Sequence, residues 1–352
     1  MFEHTDRLPE AVVRIRKWYA DNRRSLPWRQ DPTPYHTWIA EIMLQQTRIE
    51  AVIPYYERFL QALPDVASLA AVPEDRLLKL WEGLGYYSRA RNLKKAAIRI
   101  MERFDGDLPS DFELLKSLPG IGDYTAGSIA SISFGLPEPA VDGNVLRVMT
   151  RLLACPDDIS SSTTKHSLAV LLREHYPQGA DAALLTEGIM ELGETVCLPN
   201  GHPRCEACPL RTLCVAHACG KEVSYPVKAP KSPRRVEEKT VFLLRCGECY
   251  AIRKRPKAGL LAGLWEFPNA DGRLSQEEVL SFLTSMDISA MSIDPLGDAK
   301  HIFTHVEWHM TGFRVDCPEK IPWLLWKTPE EIAAGFSLPS AFRPWQIKIS
   351  EV

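Results

Sequence analysis

The 352-residue sequence lacks three features that would each point to a particular class of protein. It has no uncharged hydrophobic run that approaches the ~20 residues of a membrane span. Its first residues include acids and no apolar secretory segment, so we expect a cytoplasmic protein. It also lacks an overall basic charge, because 42 Lys and Arg face 45 Asp and Glu and the net charge is −3. Binding to nucleic acid would therefore depend on local patches, for which the candidates are the basic runs at 14–17, 23–24, 89–95 and 228–235.

The composition is that of an ordinary globular protein, with 45% hydrophobic and 25% charged residues. A chain of this length is typical of two domains. The sequence contains nine cysteines, and in a reducing compartment metal ligation is a more common use of cysteine than disulfide formation.

Helical periodicity extends over the first two thirds of the chain, and no alternating strand pattern interrupts it. The predicted helices begin with one that Pro34 opens and continue at 51–63, 74–81, 88–104, 145–153, 167–175 and 180–192. A charged, proline-rich segment follows at 221–239 and predicts an extended linker.

Beyond the linker the pattern changes. Residues 240–245 and 250–255 predict two strands joined in a hairpin, 303–315 predicts another strand, and 275–285 predicts a helix. The sequence therefore predicts a multi-domain protein with an all-α domain at 1–222, a linker at 223–238 and an α+β domain at 239–352.

The segment 118–127, LPGIGDYTAG, predicts a glycine hairpin followed by a helix. Gly120 and Gly122 permit backbone angles that a side chain would disfavour. The helix after them begins with unpaired N–H groups and a positive dipole end, which is suited to binding a phosphate. An isolated carboxylate, Asp142, follows after a proline-rich turn.

Four cysteines close the helical domain with the spacing C-x7-C-x2-C-x5-C: Cys197, Cys205, Cys208 and Cys214. Four thiolates in one short loop fit either a [4Fe–4S] cluster or a tetrahedral zinc site, and ligand softness alone does not choose between them. His202 and Cys219 are alternative ligands nearby.

Glu41 lies on the flank of an apolar helix in the string WIAEIMLQQT, where partial desolvation would raise its pKa. Together with Asp142 it offers two carboxyl groups. Hydrolysis of a glycosidic bond uses such a pair, with one carboxyl protonated and the other ionised.

Five segments in order resemble the MutY family of adenine DNA glycosylases, in the helix-hairpin-helix superfamily of endonuclease III: 27–47, 82–93, 118–127, 141–148 and the cysteine loop. The resemblance implies a six-helix module at 29–136 that contains the hairpin, and an iron–sulfur module formed by 1–28 and 137–222. It also implies one [4Fe–4S] cluster on the four cysteines, although the first cysteine gap is one residue longer than the usual x6.

The resemblance further implies roles for individual residues. Glu41 would protonate adenine at N7, and Asp142 would stabilise the oxocarbenium-like sugar. Tyr124 stands where backbone-cleaving relatives carry a Schiff-base lysine, so the enzyme would be essentially monofunctional. The remaining residues would lie near the catalytic centre or contact the DNA. Around the adenine would lie Asn144, Arg29, Leu44 and Glu187. Wedge residues, which insert into the DNA beside the lesion, would be Gln45, Gln46 and Tyr86, and the DNA backbone would be contacted by Gly120 and Gly122.

The C-terminal segment 253–268, RKRPKAGLLAGLWEFP, resembles the Nudix-like domain of the same family. The resemblance implies that Phe303, Thr304 and His305 contact 8-oxoguanine, with Thr304 in place of the usual serine. The clustered acidic residues of a metal-binding Nudix signature are missing from this half, which argues against pyrophosphohydrolase activity.

We therefore expect a monomeric base-excision-repair enzyme that acts on duplex DNA containing adenine opposite 8-oxoguanine or guanine. The alternatives are a bifunctional glycosylase/lyase, a non-catalytic iron–sulfur DNA-binding protein and a Nudix-type nucleotide hydrolase.

Overall fold

The computed structural model describes residues 2–230 and 233–350, so Lys231 and Ser232 of the predicted linker lie outside the described residues. The chain divides into two compact units. The first comprises Met1–Ala71 and Asn92–Pro230, and the second comprises Val72–Arg91 and Lys231–Val352. The module boundaries given above stay predictions.

Helices account for the regular structure before the linker, and residues 2–230 contain no β-strand, which confirms the all-α prediction for this part of the chain. The helices are α1 Leu8–Asn22, α2 Pro27–Gln30, α3 Pro34–Leu44, α4 Ile49–Ala62, α5 Val66–Ala71, α6 Glu74–Leu80, α7 Ser88–Arg103, α8 Phe112–Lys116, α9 Asp123–Phe134, α10 Gly143–Leu152, α11 Ser162–Arg173, α12 Ala180–Thr195 and α13 Val215–Ala218. Single 3-10 turns occur at Thr5–Arg7, Cys205–Ala207 and Glu222–Ser224.

Side-chain caps fix the starts of several helices. The Thr33 hydroxyl accepts the His36 N–H at 3.2 Å at the start of α3, and Asp111 and Asp142 cap α8 and α10 in the same way. Each cap pairs one of the N–H groups that a helix start leaves free. The cap of α10 is Asp142, which is one of the two carboxyl residues singled out from the sequence, so the start of α10 fixes the position of that carboxyl group.

A core of buried apolar residues joins α1, α10, α11 and α12. Ile15 from α1, Met149 from α10, and Leu185 and Ile189 from α12 are all buried in it. Burying these side chains from distant parts of the sequence supplies the main driving force for holding α10 and α12 side by side.

A mixed seven-stranded sheet forms the centre of the second unit: β1 Arg235–Cys246, β2 Cys249–Lys254, β3 Trp265–Glu266, β4 Asn269–Asp271, β5 Ser292–Ile302, β6 Val306–Asp316 and β7 Leu325–Lys327. The strand order is β3-β2-β1-β6-β5, with β4 also paired to β1 and β7 to β2. Strands β1 and β6 run parallel, and the other pairs run antiparallel. The predicted hairpin is confirmed by the register Cys246↔Cys249.

Helices cover both faces of this sheet: α14 Gln276–Ser285 on one side, α15 Pro329–Gly335 and α16 Arg343–Ser350 on the other, with a 3-10 turn at Ser340–Phe342. Successive residues of a strand point to opposite faces. Val241 and Leu243 accordingly join the core that contains Trp345, whereas Phe242 and Leu244 join the core that contains Leu283. The α+β prediction is confirmed. Within the described residues, no helix has the length and hydrophobicity to cross a membrane.

Candidate active site

A cavity of about 490 Å³ in the first unit collects eight of the residues singled out from the sequence. They come from α2, α3, the turn after α3, α9, the start of α10, and α12: Arg29, Leu44, Gln46, Glu41, Tyr124, Asp142, Asn144 and Glu187.

Glu41 is buried on α3, with only 6% of its surface exposed. Burial raises the pKa of its carboxyl group to about 7, because the charged form loses its hydration. The hydrogen bonds from Tyr124 and Ser128 oppose that rise, and the negative charges of Asp142 and Glu187 add to it. A carboxyl group with this pKa can hold a proton near neutral pH and release it to a base.

Tyr124 lies in the first turn of α9, and its phenol donates a hydrogen bond to Glu41 Oε2. Its pKa is raised well above 10 by burial and by the neighbouring carboxylates, so the phenol keeps its proton. The side chain therefore acts as a hydrogen-bond donor inside the cavity.

Asp142 is the N-cap residue of α10. Its Oδ1 accepts the Val145 N–H at 2.7 Å, and its Oδ2 accepts the Asn144 amide at 2.9 Å. Burial raises the pKa of Asp142, whereas these hydrogen bonds and the positive charge of Arg147 lower it. The carboxylate is thus held in one orientation at a helix N-terminus, where a negative charge is favoured.

Asn144 is fixed from two further sides. Its amide donates to Glu194 Oε1 at 3.1 Å, and its Oδ1 accepts from Arg147 at 2.7 Å. Arg147 also donates to the carbonyl of Cys197 at 2.7 Å and to that of Gly193 at 2.9 Å. One buried arginine therefore links the catalytic side of α10 to the start of the cysteine loop.

A charged network from α2 and α12 also lines the cavity. Arg29 lies 2.9 Å from Glu191 and 3.5 Å from Glu187, and the Tyr19 phenol donates to Glu187 at 2.9 Å. Burial raises the pKa of Glu187, while hydrogen bonds and ion pairs with Arg24 and Arg29 lower that of Glu191. These polar groups are suited to orienting a planar, hydrogen-bonding base.

The glycine hairpin is confirmed at one position and corrected at the other. Gly120 has φ +80°, and a Cβ there would lie 2.7 Å from the Cβ of Asn92, so both conformation and space require glycine. Gly122 has φ −97° and ψ −176°, an extended conformation open to any residue, and nothing lies near its missing Cβ. The prediction that Gly122 uses angles forbidden to a side chain is wrong.

The three predicted wedge residues, Gln45, Gln46 and Tyr86, differ in exposure and in whether they line the cavity. Gln46 lines the cavity with φ 62°, whereas Gln45 is absent from its lining and donates to the Thr125 hydroxyl at 3.3 Å. Tyr86, in the second unit, has φ 47° and is 49% exposed, and its phenol lies 2.5 Å from the Thr304 hydroxyl. A left-handed conformation is uncommon for glutamine and tyrosine, so the fold holds both residues in fixed turns.

Phe303, Thr304 and His305 occupy the turn between β5 and β6 in the second unit. Phe303 packs edge-on against His301 and Trp308, with ring centroids 4.5 and 5.0 Å apart. Thr304 and His305 are exposed. The turn thus exposes two polar side chains, Thr304 and His305, next to a cluster of packed aromatic rings.

The four predicted ligands line a second cavity in the first unit, together with Arg151, Arg204, Arg211, His217 and Glu222. None of the four forms a disulfide. Burial raises the pKa of Cys208, and the neighbouring Cys197, Cys205 and Cys214 add to that rise. Neither of the alternative ligands, His202 and Cys219, lines this cavity.

The spacing of the sulfurs bears on which metal they fit. No three of the four sulfurs lie within 4.8 Å of one another; only Cys205, His217 and Glu222 form such a group within the described residues. A single zinc ion bound at the usual Zn–S distance would require sulfurs about 3.8 Å apart. The wider arrangement fits a multi-atom cluster better than one zinc ion.

Sequence reasoning missed several residues of the active-site cavity. Glu187 was identified, but Met190, Glu191 and Glu194 line the same wall of α12. Their spacing of three and four residues is the available signal, because residues so spaced share one face of a helix. Ser128 and Arg147, which act on Glu41 and Asn144, carried no signal of their own.

Comparison with known proteins agrees with this geometry. Residues 39–174 match the HhH-GPD superfamily of base excision DNA repair proteins, and residues 240–345 match the NUDIX domain family. Adenine DNA glycosylases from Rattus norvegicus and Homo sapiens are 31% and 32% identical over 94% of this chain, which spans 76% and 72% of their lengths. One from Buchnera aphidicola is 32% identical over 83% of this chain and 82% of its own.

The solved structures agree for the helical part. A thermostable thymine-DNA glycosylase is 26% identical with a TM-score of 0.53, and it covers 62% of this chain and 100% of its own. Endonuclease III in a non-covalent DNA complex is 25% identical with a TM-score of 0.53, and it covers 62% of this chain and 99% of its own. By its sequence relatives, the chain belongs to the adenine DNA glycosylase family.

Proposed function

We propose that this protein removes adenine paired with 8-oxoguanine or guanine from duplex DNA by hydrolysing the N-glycosidic bond. The observation that carries the proposal is the pair of buried carboxyl groups, Glu41 and Asp142, on one cavity. The cavity also has room for a flipped base, and nucleobase enzymes extrude their target from the helix to reach it.

Glu41 supplies the acid in this mechanism. With a pKa of about 7, it carries a proton near neutral pH and delivers it to N7 of the bound adenine. Protonation turns the base into a better leaving group, so the bond to the sugar breaks with its electron pair on the base. A water molecule then adds to C1′ of the sugar cation and gives up one proton to the solvent, which leaves an abasic sugar. The Tyr124 phenol then stabilises the carboxylate that Glu41 becomes.

Asp142 supplies the negative charge. Its two oxygen atoms are oriented by Val145 and Asn144, so the carboxylate can face the positive charge that develops on the sugar. Because Asp142 is already oriented by these hydrogen bonds, its charge needs little reorganisation as the transition state forms.

Tyr124 supports a monofunctional reaction. A bifunctional glycosylase/lyase forms an imine between a lysine amine and the sugar, and a phenol cannot form that bond. The phenol is moreover committed to Glu41. Borohydride, which reduces imines, should therefore trap no covalent enzyme–DNA complex, whereas the bifunctional alternative requires one.

Recognition of the damaged partner base is assigned to the second unit. Phe303, Thr304 and His305 lie on an exposed turn, and the Thr304 hydroxyl is within hydrogen-bond distance of Tyr86. We assign 8-oxoguanine recognition to this group. A glycine hairpin at Gly120 followed by the start of α9 provides backbone N–H groups for a DNA phosphate.

The four cysteines are proposed to hold one [4Fe–4S] cluster. The free thiols, their spacing and the donation from Arg151 to Cys197 Sγ at 3.2 Å fit a cluster of net negative charge. When bound, the cluster would serve as a structural crosslink of the loop rather than a reactant. Purified protein should contain about four irons and absorb near 400 nm, and Cys208→Ser should lose both; zinc in place of iron would contradict this assignment.

Product analysis tests the activity itself. Duplexes with adenine opposite 8-oxoguanine, guanine, thymine and cytosine are incubated with excess enzyme, and free adenine and strand breaks are measured before and after alkali. We expect adenine release from the first two duplexes, with breaks only after alkali. Binding of all four duplexes without adenine release would favour the non-catalytic DNA-binding alternative.

A further inference from the structure

Ser128 is a fully buried polar residue of α9, with 0% of its surface exposed. Its hydroxyl has no well-formed hydrogen bond to any described residue. A buried hydroxyl without a partner destabilises the folded state, because it has given up water and received nothing in return. Such a group calls for an explanation from its surroundings.

The surroundings of Ser128 are those of the proposed acid. Ser128 follows Tyr124 by four residues on the same helix, so the two side chains share one face of α9. Tyr124 donates to Glu41, and Ser128 lies near enough to the same carboxyl group to lower its pKa. The hydroxyl is thus beside a group that gains a negative charge when it gives up its proton.

Two other groups near Glu41 raise its pKa, whereas Ser128 lowers it. Asp142, at the start of α10, and Glu187, on α12, are both negative and raise the pKa of Glu41. Tyr124 and Ser128 from α9 are the two hydroxyl groups that lower it. Without donors, a new carboxylate at this position would have two acidic neighbours and little hydration, since Glu41 is only 6% exposed.

We propose that Ser128 is a positioning residue for base excision, whose hydroxyl donates to Glu41 as that acid loses its proton. This inference rests on the proposed function, in which Glu41 is the general acid. Tyr124 and Ser128 form a two-donor cradle for the Glu41 carboxylate, and the Ser128 bond tightens in the ionised state. In the resting enzyme the Ser128 hydroxyl makes no well-formed hydrogen bond, so it remains available to donate when Glu41 ionises.

The two-donor cradle predicts two effects of Ser128→Ala, one on the pH dependence of the excision rate and one on the rate at low pH. Loss of a donor to the carboxylate makes Glu41 a weaker acid, so the alkaline fall in the excision rate should move up by about one pH unit. Below that fall, where Glu41 is protonated in both proteins, the variant should be slower by roughly threefold, because a weaker acid transfers its proton less readily. The two rate profiles should therefore converge or cross as the pH rises.

Ser131→Ala is the matched control. Ser131 is equally buried on the same helix, but its hydroxyl donates to the Gly127 carbonyl at 2.7 Å and not to Glu41. Single-turnover excision of adenine opposite 8-oxoguanine is measured from pH 5 to 9 for the three proteins. We expect Ser131→Ala to keep the wild-type pH profile. A Ser128→Ala profile that coincides with the wild type would overturn the proposal.

A second measurement needs no activity. Thermal unfolding is followed at pH 5 and pH 8.5 for Ser128→Ala, with and without Glu41→Gln in the same chain. Ionised Glu41 should destabilise Ser128→Ala more than the wild type, so the difference in Tm should be larger at pH 8.5 than at pH 5. In the chain that also carries Glu41→Gln, this dependence on pH should vanish, because no ionisable group remains at that position.

The two measurements separate the two hypotheses. If the wild type releases no adenine but the pH-dependent difference in Tm is present and needs Glu41, the proposed function fails and the contact between Ser128 and Glu41 stands. If adenine is released but Ser128→Ala changes Tm equally at both pH values and leaves the rate profile unchanged, Ser128 is only a packing residue and the inference fails.

Discussion

The phenol of Tyr124 donates a hydrogen bond to the carboxyl group of Glu41, and the two residues are 83 positions apart in the sequence. Two opposing effects meet in this pair. Burial favours the neutral acid, whereas the donated hydrogen bond favours the carboxylate. Burial is the larger effect, and the resulting pKa of about 7 matches the range in which a general acid is most effective.

Tyr124→Phe should therefore shift the pH dependence of excision. Because the phenol lowers the pKa of Glu41, its loss should raise that pKa and move the alkaline fall in rate above pH 7. The shift should be about one pH unit. Single-turnover rates across pH measure it. Tyr35→Phe is the control, since its buried phenol donates to the Leu63 carbonyl at 2.8 Å instead, and its profile should match the wild type.

Glu41→Gln should abolish excision and stabilise the protein at alkaline pH. The folded pKa of Glu41 is raised from 4.5 to about 7, so its contribution to stability is complete below pH 4.5 and is lost as the pH rises through 7. Above that pH, ionisation costs up to about 3 kcal/mol, and glutamine avoids this cost. Urea unfolding at pH 5 and pH 8 measures the free energy of unfolding, and an equal difference at both pH values would contradict the assignment.

Much of the fold was predictable because its signals are local. The spacing of apolar residues predicted α3, α4, α7 and α12, and the two-residue turn between Cys246 and Cys249 predicted the β1–β2 hairpin. Strand β5 was missed because its apolar residues do not alternate regularly with polar ones and it contains Pro295 and Gly297. As the last strand in the order, it is stabilised by antiparallel pairing with β6, the next strand in the chain, and this pairing overrides the weak strand preference of its own residues.

Helix α1 falls within the helical pattern predicted for the first two thirds of the chain but was not predicted as a separate element, and its basic run at 14–17 was a candidate nucleic-acid-binding patch. In the structure Arg14 donates to the Thr212 hydroxyl at 2.7 Å, and Arg16 forms an ion pair with Asp181. These two arginines therefore anchor α1 to the cysteine loop and to α12. Charge in a sequence shows which residues are polar, but not which partners the packing of helices will bring to them.

The active-site residues also fall into those that local sequence motifs reveal and those that only tertiary packing brings together. Glu41 and Asp142 were identified because each lies in a long motif, and the cavity confirms that they meet. Glu194, Arg147 and Ser128 were not identified, since each becomes relevant only when α9, α10 and α12 pack together. Supporting residues of this kind act through another side chain, and their position is a product of tertiary structure.

Gly193→Ala should perturb the catalytic carboxylate from a distance. A Cβ at Gly193 would lie 2.6 Å from the Cβ of Asn144, so the asparagine must move and weaken its hydrogen bond to Asp142. We expect a loss of about 1–3 kcal/mol in the free energy of unfolding from overpacking. Excision should also slow by about tenfold, equivalent to about 1.4 kcal/mol of transition-state stabilisation.

The control for Gly193→Ala is Gly335→Ala, at the end of α15, where nothing lies within 4 Å of the missing Cβ. It should change neither stability nor rate appreciably. Denaturant unfolding and single-turnover kinetics on both variants separate packing from chemistry. Wild-type excision by Gly193→Ala would show that the position of Asn144 does not matter for the reaction.

Asp142→Asn should separate the two uses of this side chain. Asparagine is as good an N-cap as aspartate, so its Oδ1 can still accept the Val145 N–H and α10 should remain intact. The negative charge that stabilises the sugar cation is lost, and excision should fall by about 100-fold or more. Binding to an uncleaved duplex should persist, because the cavity and the glycine hairpin are unchanged. Rapid-quench kinetics with a parallel binding titration test this, and an Asp142→Asn enzyme that keeps its excision rate would show that the helix cap, and not the charge, is what the reaction requires.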